Sequence, residues 1–203
     1  MRGNLGGILL MALLLAAGPT VRAQQEQGEG SLLSDASVAV TFNAERGKVV
    51  DSGCGCFWLL GPGADFGLNF HHGIGAAAAI YEEQTVNLSS GESLNKISYL
   101  FGPRYTWSPS TRLGGALRSG TIFGEALFGG VHGYNGAFPS GGSVASSATA
   151  FALQAGGGFD LRVKSGLGLR LVEADYVYSQ LPNNGSGAQN DFRIASGVSW
   201  HFR

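Results

Sequence analysis

The chain has 203 residues, of which 13% are charged and 34 are glycine, and its formal net charge is −1. Soluble domains carry about 25% charged residues and about 7% glycine, so this composition is poor in charge for a water-soluble domain and rich in glycine. The near-neutral balance gives no reason to expect nucleic acid as a partner.

Residues 1–23 predict an export signal. Arg2 precedes an apolar stretch over residues 8–17, and a short motif ending at Ala23 supplies the small residues that signal peptidase accepts before a cut. The apolar stretch is far short of the roughly 20 residues that a membrane-spanning helix needs, so an uncleaved anchor is the weaker alternative. We therefore expect cleavage after Ala23, and residues 24–35 are predicted to form a flexible polar tail.

Beyond residue 35, hydrophobic and aromatic segments alternate with clusters of Gly, Ser, Asn and Pro, and no apolar run approaches the length of a membrane helix. Backbone within lipid must pair all its polar groups, so such a chain enters a membrane as a closed barrel. The pattern predicts an all-β fold, an eight-stranded antiparallel transmembrane β-barrel over residues 36–203. Its predicted strands are 36–46, 56–70, 73–82, 95–107, 120–132, 147–160, 167–179 and 190–202.

The predicted connections alternate in length, as they do in outer-membrane barrels with long external loops and mostly short periplasmic turns. Segment 108–119 is an exception, because it occupies the position of a short periplasmic turn but is longer than such a turn. The long connections are 43–55, 83–94, 133–146 and 180–189, and the short ones lie near 71–72 and 161–166.

Cys54 and Cys56 lie where the first long loop joins the second predicted strand. Cys-x-Cys can ligate a soft metal or form a redox pair, but two ligands without nearby His or further Cys make a weak metal site. Export is an oxidising route, so a local loop disulfide, or two reduced thiols, is the better interpretation.

The last predicted strand has the clearest period of two. Its large apolar residues share one parity, and small or charged residues occupy the other. Such a strand suits a position between lipid and a polar barrel interior. The fourth strand repeats the pattern, although Pro103 lacks a ladder donor and is more typical of an edge or a bulge. The apolar set of the last strand is Phe192, Ile194, Val198, Trp200 and Phe202.

Six charged residues lie in predicted strands, most of them on the face turned away from lipid. In the seventh strand, two of them share the parity of the leucines unless a β-bulge at Leu171-Val172 shifts the register. Buried charges must pair, so we expect a barrel-interior charge network. It either acts as a selectivity filter or holds the strands in register, and the narrow interior of an eight-stranded barrel favours the second role. The six are Arg104, Glu125, Arg170, Glu173, Asp175 and Arg193.

Four internal segments and the last strand carry a family resemblance: FGPRYTW at 101–107, GEALFGGVHG at 124–133, GGGFDLRV at 156–163 and LGLRLVEADYVYSQL at 167–181. The chain resembles the small bacterial outer-membrane β-barrels of the OmpA-type and OmpX-type, also termed opacity-like proteins. The resemblance implies a location in the bacterial outer membrane after signal cleavage. It also implies contact with outer-membrane lipid and lipopolysaccharide. The barrel-assembly machinery is a further implied partner, and it would recognise an assembly signal at Val198, Trp200 and Phe202.

The sequence leaves three functions open. The leading one is a structural or surface-interaction, adhesin-like role through the external loops, with an unidentified external ligand. The alternative is a narrow passive porin-like channel. A lipid-modifying enzyme comes third, because outer-membrane lipid A deacylases use a His, Ser and carboxylate set, and no Ser lies at a convincing short spacing from His132. We predict no catalytic residue, no metal ligand and no cofactor.

Overall fold

The computed structural model describes residues 35–48, 56–86, 94–108, 119–140, 143–164, 166–183 and 187–202. Within these ranges the chain forms eight strands: β1 (Asp35–Lys48), β2 (Cys56–His71), β3 (Ile74–Thr85), β4 (Asn95–Trp107), β5 (Ser119–Ser140), β6 (Ser143–Lys164), β7 (Leu167–Ser179) and β8 (Gln189–Phe202). Each strand pairs antiparallel with the next, and β8 pairs with β1, which closes the barrel. The predicted all-β, eight-stranded architecture is confirmed.

The predicted signal peptide and almost all of the polar tail, residues 24–34, lie outside the described residues. In the described part of the chain, no helix is long and apolar enough to cross a membrane.

The barrel wall is apolar on its outside and polar on its inside. Successive residues of a strand point to opposite faces, so each strand contributes to both surfaces. In β4, Tyr99, Phe101 and Tyr105 are exposed on the outside, whereas Lys96 and Arg104 are buried inside. A water-soluble barrel would have the reverse arrangement, and the observed one is typical of a barrel in lipid.

β4 runs through Pro103 without a change of register. Phe101 faces Phe128 of β5, and Arg104 faces Glu125 in the same ladder. Proline lacks the N–H that a ladder bond requires, and the pairing with β5 is interrupted at Gly102 and Pro103. Pro103 therefore lies inside a strand of the closed barrel rather than at a sheet edge.

The bulge predicted in β7 is present. Phe159 of β6 faces Val172 and Asp160 faces Arg170, so Leu171 is the additional residue. Leu171 and Val172 are 49% and 46% exposed, which places both side chains on the outside of the barrel. Because the bulge absorbs one residue, the following carboxylate, Glu173, returns to the interior.

The prediction of a long loop over residues 133–146 is wrong. β5 continues to Ser140 and β6 starts at Ser143, and each of the two strands has 22 residues. Apart from Val144, the run 143–150 consists of Ser, Ala and Thr. Ala148 and Ala150 pack against the buried cluster that includes Phe138 and Leu181, but side chains this small give no clear apolar alternation. Such a run has the composition of a loop, although its backbone pairs with β5 on both sides of a register shift between Tyr134 and Phe138.

The β5–β6 pair extends beyond the rest of the barrel. Pairing of β4 with β5 ends at Tyr134, and pairing of β6 with β7 ends at Ala152. We call residues 135–140 and 143–150 the hairpin extension. It lies at the end of the barrel opposite to Asp35 and Phe202, which the predicted orientation places outside the cell and which we call the external end.

The turn between β2 and β3 is tight, as the sequence predicts. His72 and Gly73 both have positive φ, at 52° and 81°. A Cβ atom on Gly73 would lie 2.1 Å from the carbonyl oxygen of Thr106, so glycine is required there for close approach as well as for its dihedral angle. The Thr106 N–H donates to the Gly73 carbonyl at 2.7 Å, which joins the turn to β4.

Candidate functional site

The charged side chains of the barrel interior form the first candidate site. Arg104 of β4 donates from Nε to Glu125 Oε2 at 2.8 Å and from Nη1 to Asp65 Oδ1 at 3.1 Å. The same Asp65 oxygen accepts a hydrogen bond from Arg170 Nη1 at 3.2 Å. One carboxylate of β2 therefore joins the guanidinium groups of β4 and β7.

Phe123 of β5 lies against both of these guanidinium groups. The Arg104 and Arg170 Cζ atoms are 4.6 Å and 4.4 Å from the centre of its ring. A ring face attracts a cation, and the attraction is larger where water is excluded. This contact explains why β5 presents a phenylalanine to the interior on the same parity as Glu125.

Arg170 is the most connected residue of the interior. Its Nε donates to Asp160 Oδ1 at 2.9 Å and its Nη1 donates to Glu173 Oε2 at 2.7 Å, in addition to the bond to Asp65. Its side chain is 1% exposed. A guanidinium group without water needs protein acceptors for its N–H groups, and three carboxylates provide them.

Arg193 of β8 occupies the next level toward the external end. It donates from Nη2 to Asp175 Oδ2 at 3.2 Å and to Gln154 Oε1, and its guanidinium carbon lies 3.5 Å from the centre of the Tyr81 ring. Gln154 Nε2 donates to Glu125 Oε1 at 3.0 Å, and the Tyr81 hydroxyl donates to Glu173 Oε1 at 3.3 Å. These bonds connect Arg193 to the network around Arg104 and Arg170.

A smaller group lies nearer the external end. Lys96 of β4 contacts Glu45 of β1 and lies 3.3 Å from Glu83 Oε2 of β3. All three side chains are buried. Together, the two groups include side chains from all eight strands, so each strand is tied to others through the interior as well as through its ladders.

The structure places all six predicted interior residues inside the barrel, and each of the three arginines contacts one predicted carboxylate. The pairs are Arg104 with Glu125, Arg170 with Glu173 and Arg193 with Asp175. Reasoning from the sequence missed the other members of the two groups, although inward parity marks them in their strands. These are Glu45, Asp65, Tyr81, Glu83, Lys96, Gln154 and Asp160.

Carboxylates outnumber cations in the interior. Among the described residues, eight carboxylates and four cationic side chains are buried. The neutral side chains of Tyr81 and Gln154 donate hydrogen bonds to Glu173 and Glu125, and so supply part of the donors that the additional carboxylates need. Oxygen atoms of Glu125, Glu173 and Asp175 lie within 4.8 Å of one another, and an arginine contacts each of the three carboxylates.

The interior leaves little free space near the chain ends. The cavity below Arg104 and Arg170 has a volume of about 10 Å³ and is lined by residues that include Asp160, Arg162 and His201. A single water molecule needs about 10–15 Å³ by this kind of measure. A hydrated ion does not fit there, so the interior is packed at this level of the barrel.

The hairpin extension forms the second candidate site. The Gln180 N–H donates to the Phe151 carbonyl at 3.0 Å, and no strand among the described residues pairs with residues 144–150 of β6 on the same side. We call this stretch the open edge. Val144 at its tip is 72% exposed, and the stretch contains no charged residue or proline. Most proteins protect such an edge with charges, proline or a covering segment, because it can pair with another strand.

His132 is the last residue of the predicted strand 120–132, but in the structure it lies within β5, which continues to Ser140. Its Nδ1 is 2.7 Å from Thr149 Oγ1 of β6, and its ring stacks with that of Tyr134 at 6.1 Å. These neighbours differ from the Ser and carboxylate partners that lipid A deacylases use.

The predicted assembly signal lies at the seam where the barrel closes. Trp200 faces Val38 and Phe202 faces Ala36 in the ladder between β8 and β1. The predicted loop disulfide falls on Cys54, which lies outside the described residues, and on Cys56, the first residue of β2. That disulfide stays a prediction.

The structure is similar to solved outer-membrane barrels. The crystal structure of Neisserial surface protein A (NspA) has a TM-score of 0.60 at 15% identity, and the match covers 83% of this chain and 99% of that chain. The crystal structure of Ail, the attachment invasion locus protein of Yersinia pestis, in complex with the heparin analogue sucrose octasulfate, has a TM-score of 0.51 at 16% identity. That match covers 83% of this chain and 98% of the Ail chain. A structure of the Yersinia pestis outer membrane protein Ail in a phospholipid bilayer nanodisc has a TM-score of 0.43 at 18% identity, with 82% and 99% covered.

No protein-family model and no curated protein sequence matches the chain. At identities this low, the similarity shows the fold. The chain has the fold of a small eight-stranded outer-membrane β-barrel, as its resemblance to that family implied.

Proposed function

We propose that the protein is an outer-membrane barrel with a structural interior, and that its hairpin extension binds other proteins by adding a strand at the open edge. The apolar outer wall supports the membrane location, since water would not solvate the exposed aromatic residues of β4. The fold shared with NspA and Ail supports the same location.

The packed interior favours the structural role over the channel alternative. The network around Arg170 leaves a cavity of about 10 Å³ at the chain-end side, whereas a passive channel needs a continuous water-filled path. Charges that pair across strands also specify the register, because a slip of one residue would move each of them to the lipid side of the wall.

The open edge is the observation that carries the binding role. A strand edge offers backbone N–H and C=O groups at regular spacing, and an extended peptide can pair with them in the manner of strand addition. The Phe151 carbonyl points toward the β7 side, so the backbone groups of Ser147 and Thr149 point to that side as well. These are the groups that an added strand would contact.

The composition of the hairpin extension favours a peptide over a sulfated sugar. Residues 132–150 contain no Lys, Arg, Asp or Glu. A polyanion is recognised by clustered basic side chains, which this segment lacks. Ail was solved with a heparin analogue, but that ligand belongs to Ail and does not fit the hairpin extension of this chain.

The test uses the full-length barrel in phospholipid nanodiscs and a dye-labelled, uncharged peptide of alternating Thr and Val. Ser147→Pro removes an edge N–H, whereas the matched control Ser147→Ala keeps it. One lost hydrogen bond of about 1 kcal/mol predicts binding about fivefold weaker for Ser147→Pro, by fluorescence anisotropy. Backbone N-methylation of the peptide should abolish binding. Equal affinity for all three barrels, or binding of heparin in place of the peptide, would contradict the proposal.

A further inference from the structure

A groove of about 580 Å³ crosses the outer wall from β1 to β5. The ladders explain its shape, because small and large outward residues alternate between neighbouring strands. Ala78 of β3 lies between Phe66 and Phe101, and Gly130 of β5 faces Tyr99. The small residues leave the space that the large ones enclose.

Glycine at position 130 is needed for this shape. A Cβ atom there would lie 2.5 Å from the Tyr99 ring, so the ring rests over the glycine and forms one margin of the groove. Phe66, Ile80 and Phe101 are exposed along the other margins. The outward side chains that line the groove are apolar apart from the Tyr99 hydroxyl.

The groove lies at mid-height of the wall, since Ala78 is close to the middle of β3 (Ile74–Thr85). In a barrel inserted as the proposed function requires, that level faces the hydrocarbon of the membrane. A water-borne ligand does not reach it. Its occupant is therefore either a lipid chain or the apolar wall of another membrane protein.

The size of the groove distinguishes the two occupants. Twelve residues line it, whereas a stable protein interface takes about 20–30 residues from each side. Its volume instead falls in the range of about 300–1,000 Å³ that is usual for small-molecule sites.

We propose that this groove binds one acyl chain of a phospholipid as an ordered ligand of the barrel. Glu82, two residues beyond Ile80 toward the external end, accepts a hydrogen bond from the Tyr134 hydroxyl at 3.4 Å. Lipopolysaccharide carries several phosphate groups, whereas the single phosphate of phosphatidylethanolamine is offset by its ammonium group, so the Glu82 carboxylate would repel lipopolysaccharide more strongly. The charge next to the groove thus favours a phospholipid over lipopolysaccharide.

The test refolds the full chain into vesicles of phosphatidylethanolamine and phosphatidylglycerol, extracts it in mild detergent and counts retained lipid by native mass spectrometry. Ala78→Phe and Ala64→Leu fill the groove. Ala155→Phe, an outward alanine on β6 away from the groove, is the matched control. We expect stoichiometric phospholipid on the unmodified chain and on Ala155→Phe, and about fivefold less on each groove-filling variant.

Three results would overturn the inference. Equal lipid retention by all variants would show that the groove holds no ordered chain. Lipopolysaccharide that displaces the phospholipid would make it the occupant. If native mass spectra show dimers of the unmodified chain that are absent for Ala78→Phe, a second copy of this chain would be the occupant of the groove. Heat-modifiable gel mobility monitors barrel insertion in every sample, so folded barrels without bound lipid contradict this inference alone, whereas failure of the unmodified chain to insert contradicts the proposed function.

Discussion

Arg170→Met is the substitution with the largest expected effect on stability. The guanidinium group contacts Asp160, Glu173 and Asp65, and it also stacks on Phe123. Methionine keeps most of the apolar volume but provides no donor, so the change isolates the loss of charge from the loss of packing.

The partners that remain decide the magnitude. Without Arg170, Asp65 still contacts Arg104, and Glu173 still accepts a hydrogen bond from the Tyr81 hydroxyl. For Asp160, the ion-pair partner that remains among the described residues is His201, whose Nε2 lies 3.7 Å from Oδ2. Removal of one partner from a buried pair costs about 3–5 kcal/mol, because the other charge stays buried without compensation. We expect a loss of this size in the free energy of unfolding.

The assay is urea unfolding of the barrel in phospholipid vesicles, followed by tryptophan fluorescence and by the heat-modifiable band. Arg162→Met is the matched control, since its side chain is 15% exposed and lies 3.6 Å from Asp35. Water reaches this pair in part, so removal of the Arg162 charge should cost less than removal of the fully buried Arg170 charge. The double variant Arg170→Met with Asp160→Asn should recover part of the loss, since it removes the stranded charge. An Arg170→Met variant as stable as Arg162→Met would refute the reasoning.

Two further predictions concern the interior ring and the closing strand. Phe123→Leu should lower the free energy of unfolding by about 1–2 kcal/mol, because it removes the ring face from two guanidinium groups. The control Phe128→Leu, on the outside of the barrel, should change it by less than about 1 kcal/mol. Equal effects of the two substitutions in the same unfolding assay would contradict the cation–π interpretation. Phe202→Ser should sharply lower the surface level of the protein, because it removes the last outward aromatic residue of the seam, whereas deletion of Arg203 should have little effect. The surface level is measured by the protease accessibility of whole cells. Equal levels of the Phe202→Ser variant and the unmodified chain would contradict the assembly signal.

Most of the barrel could be predicted from the sequence because the wall has two chemically different faces. In β8, all five large apolar residues share one parity, so its orientation and approximate limits follow from the pattern alone. The bulge in β7 was also predictable, since the alternative places Glu173 and Asp175 in lipid. In both strands, lipid imposes the alternation that makes the sequence readable.

The hairpin extension and the complete interior network could not be predicted in the same way. Residues 143–150 are mostly Ser, Ala and Thr, whose small side chains give no clear alternation, so only the backbone pairing reveals the strand. Asp65 joins Arg104 to Arg170 across the interior, a contact between β2, β4 and β7 that depends on the stagger of the whole barrel. Parity tells which residues point inward, but not which of them meet.

Single-barrel conductance in planar phospholipid bilayers tests most directly whether the interior is structural. The account predicts little steady conductance for the unmodified protein, because paired charges fill the interior and leave about 10 Å³ near the chain ends. Arg170→Met should leak ions as its network loosens and should lose stability at the same time. A large, stable and ion-selective conductance of the unmodified protein, altered by Arg170→Met without loss of stability, would contradict the account and identify the barrel as a channel.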